Sequence, residues 1–380
     1  MRRHPSSLIL FVLLAAPVCG CASDHDHVGD RVERSIVVMA DLQIGEAAAQ
    51  ETAAENPSST NLPQLAQTVA DIAALPRAPD HTFVLGDLVM AEAPDQGQVM
   101  RTQLDAWIEA FRGFPGNAET HLVPLPGNHE MNQYDTAVGD QAPSPYSYAE
   151  WSEWTAENGL FPFAANGPRP EGENPDALVL DESRYTFSFD WGPVHVVNIN
   201  TETLTTVVNP ATGLPYQGWI PIHWITAELE RAQANPAVES ILVLGHRPIE
   251  APAFLDPSYS NTILNIDGHT FADQLAALLE STPKVRAYLC SHVHMIQVGK
   301  LASAPRVWQI ISGNAGAELE SPWTPDGGPY FGFAELDLHR SGRMTLVSYG
   351  REVPPAPQAF YEGTPVAPAP ATVRDTIDLD

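Results

Sequence analysis

Along this chain, short apolar runs repeatedly stop at a small cluster of Asp, Asn, Gln or His. Ser35 to Ala40 stops at Asp41-Leu42-Gln43, Thr82 to Leu85 at Gly86-Asp87, and His121 to Pro126 at Gly127-Asn128-His129-Glu130. Ile241 to Leu244 stops at Gly245-His246, and Val285 to Cys290 at Ser291-His292-Val293-His294. A sixth run, Val194 to Ile199, stops at Asn200-Thr201-Glu202. Runs this short and this rich in Val, Ile and Leu read as buried strands. Between several of them, Leu65 to Leu75, Met100 to Phe111, Ile222 to Ala234 and Phe271 to Leu279 repeat apolar residues at roughly 3.6-residue spacing, which predicts amphipathic helices. Alternating strands and helices predict an α/β domain. In such sheets the loops leaving strand C-termini gather on one edge, where ligands bind, so the polar clusters all fall on that edge.

Together the clusters contain what two divalent cations about 3.5–4 Å apart require. That is a bridging carboxylate, oxygen and nitrogen donors from several strands, and an open face for water and substrate. Asp87 can bridge. Asp41, Gln43 and His294 can complete one site, and Asn128, His246 and His292 the other. His292 and His294 are two residues apart, so in extended chain both face one side. The set contains no thiolate, and carboxylate, amide and imidazole suit Fe, Mn or Zn without choosing among them. The expected cofactor is therefore two divalent or trivalent metal ions of unassigned identity.

In this order, each after an apolar strand, these five clusters resemble the motifs of the calcineurin-like metallophosphoesterase superfamily over about residues 35–350. Tyr185 to His195 and Gly245-His246-Arg247-Pro248 are similar to its purple acid phosphatase branch. The resemblance implies a four-layer α/β/β/α sandwich of two mixed sheets, with a dinuclear metal site at the strand C-terminal edge. It implies hydrolysis of phosphate mono- or diesters by attack of a metal-bridging hydroxide. It also sets His129 over the leaving group, as general acid. Three positions depart from the pattern. Gln43 stands where most members have His, and its amide carbonyl is a weaker donor than imidazole. Met90 replaces the branch's Tyr three residues after the bridging Asp, so no phenolate-to-iron colour is expected. Ser291 replaces the usual Gly ahead of His292. Arg247 is placed either to clamp a substrate phosphate or to pack beside its loop. Glu130 either orients His129 or a ligand or caps a helix, and His121 and His195 read as structural.

With 19 Lys and Arg against 47 Asp and Glu, the chain carries a formal charge of −28. That excludes a broad nucleic-acid face and a polybasic membrane patch. It does not exclude a phosphate ester, because a bound cation inverts the local potential. The expected partner is a small phosphate ester, with no nucleic-acid duplex binding and oligomeric state left open. At the N-terminus, Arg2 and Arg3 precede an apolar run, Leu8 to Val18, that is too short to span a bilayer and suits an export signal. It ends Val18-Cys19-Gly20-Cys21, which resembles a bacterial lipobox. That implies loss of residues 1–20, lipid on Cys21 and residence at the cell envelope, with the lipid as the sole membrane anchor and residues 21–34 as a polar tether. Only Cys290 then remains in the body, so no disulfide framework is expected.

Residues 131–191 hold eleven aromatic side chains, too many for a disordered linker. They read as an insert of the 35–350 domain, beginning just after Glu130 and forming either a substrate wall or a satellite core. Residues 351–380, with prolines from Pro354 to Pro370, read as an extended tail. The competing function is a catalytically silent, metal-containing cell-surface binding module of the same fold. Gln43 and Ser291 favour it; an intact His129 opposes it.

Overall fold

The computed structural model describes residues 30–45, 62–91, 95–113, 121–160, 165–252, 255, 261–317, 319, 330–351 and 368–380. The leader, Cys21 and most of the expected tether lie outside the described residues. The first half of the chain runs β1 (Val32–Met39), α1 (Leu62–Ala73), β2 (His81–Leu85), α2 (Gln98–Gly113), β3 (His121–Leu125), a single turn α3 (Asn128–Met131), β4 (Asn132–Asp135), β5 (Asp140–Pro143) and α4 (Pro145–Glu157). The second half runs β6 (Phe187–Trp191), β7 (Val194–Ile199), α5 (Ile222–Ala234), β8 (Ser240–Gly245), α6 (Phe271–Ser281), β9 (Val285–Cys290), β10 (Ile296–Lys300), β11 (Trp308–Ser312), β12 (Gly332–His339), β13 (Met344–Gly350) and β14 (Thr372–Asp378).

Two six-stranded sheets result, ordered β14-β13-β12-β1-β2-β3 and β10-β11-β9-β8-β7-β6. The strands that end in polar clusters are parallel within each sheet, β1 to β3 in one and β7 to β9 in the other. β11 adds a fourth parallel strand beside β9, and antiparallel strands complete each sheet, so both sheets are mixed. Side-chain alternation then builds the layers. Ile36 and Val38 of β1, with Ala40 just past its end, face the second sheet and share one core with Leu242, Leu244 and Leu289. Val37 and Met39 face the other way, onto Leu65 and Val69 of α1 and Leu104 of α2. On the far side of the second sheet, Val197, Ile241 and Val243 meet Ile225 and Leu229 of α5 and Leu275 of α6. This is the α/β/β/α sandwich that the sequence predicts, and burial on both faces explains why the strand runs are apolar without alternation.

The ends and the insert differ from expectation. β14 pairs with β13 from Thr345 opposite Asp378 to Gly350 opposite Thr372. The last residues are therefore an edge strand of the first sheet, not a tail, because a β-branched stretch follows the prolines. β1 begins at Val32, inside the expected tether, and β6 belongs to the second sheet rather than to an insert. Most of the aromatic segment fills the main core. Tyr148, Trp151, Trp154 and Tyr185 join Trp107 and Phe111 of α2 in the cluster that also holds Val37 and Val84. Trp154 lies edge-on to Trp107 with ring centroids 6.4 Å apart. Trp154→Ala should cost about 3–5 kcal/mol, read as a lower midpoint in denaturant melts, with the metal stoichiometry of the folded protein unchanged.

Candidate metal centre

The cluster-bearing loops leave their strands sharply. Asp41, Gln43, Asp87 and His292 all have left-handed backbone, at φ 56°, 51°, 53° and 70°. That conformation costs a non-glycine residue about 1–2 kcal/mol, and it recurs where structure holds a site under constraint. The first two loops are tied together. Leu42 and Gln43 both donate their N–H to Asp87 O at 2.9 Å, and Ile44 N–H donates to Leu88 O at 3.0 Å. Glu130 fixes the next junction. Its carboxylate accepts from the N–H groups of Asp87 (2.9 Å), Val89 (3.0 Å) and Gly127 (2.8 Å), so it caps α3 and locks the Asp87 loop instead of facing the site. Burial, helped by the Asp87 charge, raises its carboxyl to about 7.

The predicted ligands converge. Asp87, His246 and His292 each offer a ligand atom within 4.8 Å of the others. Asn128 Oδ1 lies 3.0 Å from His246 Nε2, which is 3.2 Å from His292 Nδ1 and 3.2 Å from Asp87 Oδ2. The His246 tautomer follows from its neighbour. Leu85 O can only accept, so Nδ1–H donates to it at 2.8 Å and the Nε2 lone pair faces the other donors. On the opposite side, the Gln43 carboxamide nitrogen lies 3.1 Å from His294 Nε2 and 3.2 Å from His129 Nε2. Asp41 Oδ2 accepts the His292 N–H at 3.0 Å. His129 donates Nδ1–H to Met90 O at 2.7 Å, which turns Nε2 toward the site, 3.9 Å from Asp87 Oδ2.

Two observations show that metal ions fit here. Asp41 Oδ1 and Asp87 Oδ2 are buried without a hydrogen-bond partner among the described residues, an expensive state for a carboxylate. Glycines also cradle both groups, since a Cβ on Gly127 would sit 2.2 Å from Asp87 Oδ1 and one on Gly313 2.2 Å from Asp41 Oδ2. With protons as the sole cations the groups conflict. Burial pushes the Asp41 carboxyl well above its ordinary range; His246 opposes this and Asp87 adds to it. Burial also acts to raise Asp87, but the charges of His246 and His129 outweigh it and hold Asp87 below the ordinary range. Burial would lower His246, yet Asp87 overcomes it and the imidazole is raised to about 9. The pull that would protonate His246 is the pull that holds a metal at the same lone pair. Gly127 has an ordinary φ of −108°, so Gly127→Ala acts by contact alone. It should displace Asp87 and weaken metal affinity roughly 10–100-fold, as read by calorimetric titration.

Arg247 is not open to solvent as a phosphate clamp. It is buried in an ion pair with Glu202, its Nη2 donates to Gln217 Oε1 at 3.2 Å, and its Nη1 lies 3.3 Å from His292 Nε2. Glu202 and Gln217 received no role from the sequence, although Glu202 ends the sixth strand run and shares its signal. Ser291 does not disturb its turn. Its hydroxyl donates to Leu85 O at 2.6 Å and sits 2.9 Å from His246 Nδ1, packing the ring from behind. His195 is buried between Asp190 and Glu228, a structural role.

The family model for calcineurin-like phosphoesterases matches residues 34–295. No curated protein matches the chain by sequence. Among solved structures it is similar to a purple acid phosphatase from yellow lupin (Lupinus luteus) seeds, at 16% identity and a TM-score of 0.51, over 83% of this chain and 51% of that one. It is similar to a dimetal phosphatase from Danio rerio, at 15% identity and 0.53, over 84% and 97%. It is also similar to PhoD, at 10% identity and 0.56, over 91% and 69%. The chain spans about half the length of the lupin protein. At these identities the structural likeness is one of fold.

Proposed function

The chain belongs to the calcineurin-like phosphoesterase family, hydrolases of phosphoric ester bonds, and on that premise we propose that it cleaves small phosphate mono- or diesters at the Asp87 centre, with His129 as general acid. The observation that carries this reading is a pair of buried carboxylate oxygens, on Asp41 and Asp87, that accept no hydrogen bond among the described residues and lie amid amide and imidazole groups. Asp41, Gln43, Asp87 and His294 would hold one ion, and Asp87, Asn128, His246 and His292 a second. Bound there, Fe, Mn or Zn would supply positive charge for the phosphoryl oxygens and lower the pKa of water.

The chain's own residues do the rest. Met90 O retains the Nδ1 proton of His129, so a proton given to the leaving group departs from Nε2. Nε2 is also the ring nitrogen that faces the Asp87 carboxylate, 3.9 Å from its Oδ2. The His129 side chain is 16% exposed against 1% for Asp87, so a leaving group can reach it. Glu130 and Gly127 keep Asp87 in place beneath, and Gly313 does the same for Asp41.

Export with lipid on Cys21 is part of the same proposal, supported by the leader sequence; no helix among the described residues is long and apolar enough to cross a membrane. The hydrolase reading is tested by turnover of phenyl phosphate and diphenyl phosphate before chelation, after it, and after metal is restored. Loss and recovery of turnover support it. Indifference to chelation contradicts it, and so does full metal loading with neither ester cleaved, the behaviour of a silent binding module.

A further inference from the structure

Few large apolar side chains stand exposed among the described residues, and most of those that do gather at one place. Tyr134, 41% exposed, and Tyr146, 50% exposed, line a cavity of about 360 Å³ with Gln96, Gln133, Leu214 and Pro215. Exposed Val138 sits on the turn between β4 and β5, and exposed Val208 is bridged to Pro215. An exposed apolar patch rimmed by polar groups marks a binding surface, and the volume suits a small ligand.

The groove and the metal centre share one edge of the fold and are joined by hydrogen bonds. The groove's walls come from segments that follow β2, β3 and β7, all on the edge that carries the ligands. Tyr134 pairs across the hairpin with Gln141. Gln217 Nε2 donates to Gln141 O at 2.8 Å, while its Oε1 accepts from Arg247 Nη2 at 3.2 Å. Arg247 in turn reaches His292. Two side chains thus join the tyrosine's strand partner to a metal ligand. Along the chain Tyr134 is five residues from His129, so their Cα atoms lie no more than about 19 Å apart.

We infer that this groove receives a planar aromatic ring carried by the leaving group of the phosphate ester. The inference rests on the hydrolase reading and names the substrate class for that site. Tyrosine offers a broad π face with little rotamer freedom to lose, and the amide of Gln96 can meet polar groups on a ring's edge. An aryl phosphate and a nucleoside monophosphate share this chemistry.

The test compares kcat/KM for phenyl phosphate, a nucleoside 5′-monophosphate and glycerol 2-phosphate in the metal-loaded full chain and in Tyr134→Ala, Tyr146→Ala and the corresponding Phe variants. The ratio of each ring ester to glycerol 2-phosphate should fall about tenfold in the Ala variants, mostly through KM, and return with Phe. A fall for the nucleotide alone assigns the groove to a nucleobase, and a fall for both ring esters assigns it to any aryl group. Equal losses on all three esters, or no change in the ratios, overturns the groove while leaving the hydrolase intact. No turnover of any ester by the unaltered chain overturns the hydrolase reading and this inference with it.

Discussion

Asp87→Asn should fold and lose bound metal, with kcat/KM falling on the order of 10³-fold or more. The amide keeps the shape of the carboxylate. Its Oδ1 can still accept the His129 N–H, made at 3.1 Å in the native chain. Its nitrogen would face His246 Nε2, now 3.2 Å from Asp87 Oδ2, and can donate to that lone pair. The metal-free fold therefore has no new unpaired group to bear. What disappears is charge. Asp87 is the one carboxylate common to both predicted sites, and it is the group that raises His246 to about 9. Elemental analysis beside a circular-dichroism melt separates the effects. A folded variant that keeps its full metal complement would remove Asp87 from its bridging role.

His129→Ala should act differently, leaving the metal complement in place and cutting turnover about 10²–10⁴-fold. Its Nε2 faces the site from 3.9 Å, whereas His246 lies 3.2 Å from the same Asp87 oxygen. The loss should be larger for glycerol 2-phosphate than for phenyl phosphate, because an alkoxide needs the proton more than a phenolate does. Loss of metal on this substitution would make His129 a ligand. Equal losses on both esters would leave it a residue that orients substrate.

The sandwich and the convergence of the polar loops were readable in the sequence because both depend on the same local pattern. A parallel strand buried on both faces must be apolar throughout, and the residue where that run stops is the residue delivered to the sheet edge. β1, β2, β3, β8 and β9 follow this rule, and Asp41, Asp87, Asn128, His246 and His292 meet as a result. Elements outside the rule were harder to see. β6, β10, β11 and β12 end in no ligand cluster, and β14 follows a proline-rich stretch that masks it. The supporting residues were also hidden, because their roles are relational. Glu130 could not be assigned until its three backbone donors were known. Arg247 reads equally as a phosphate clamp or as packing beside its loop until Glu202 is found against it. The aromatic segment divides for the same reason, since Trp151 and Trp154 met an apolar partner in α2 whereas Tyr134 and Tyr146 did not.

The most direct test of the central claim is anomalous diffraction from crystals of the purified full chain. The account predicts two peaks sharing Asp87, one beside Asp41, Gln43 and His294 and the other beside Asn128, His246 and His292. A lone peak, or density away from Asp87, would contradict it.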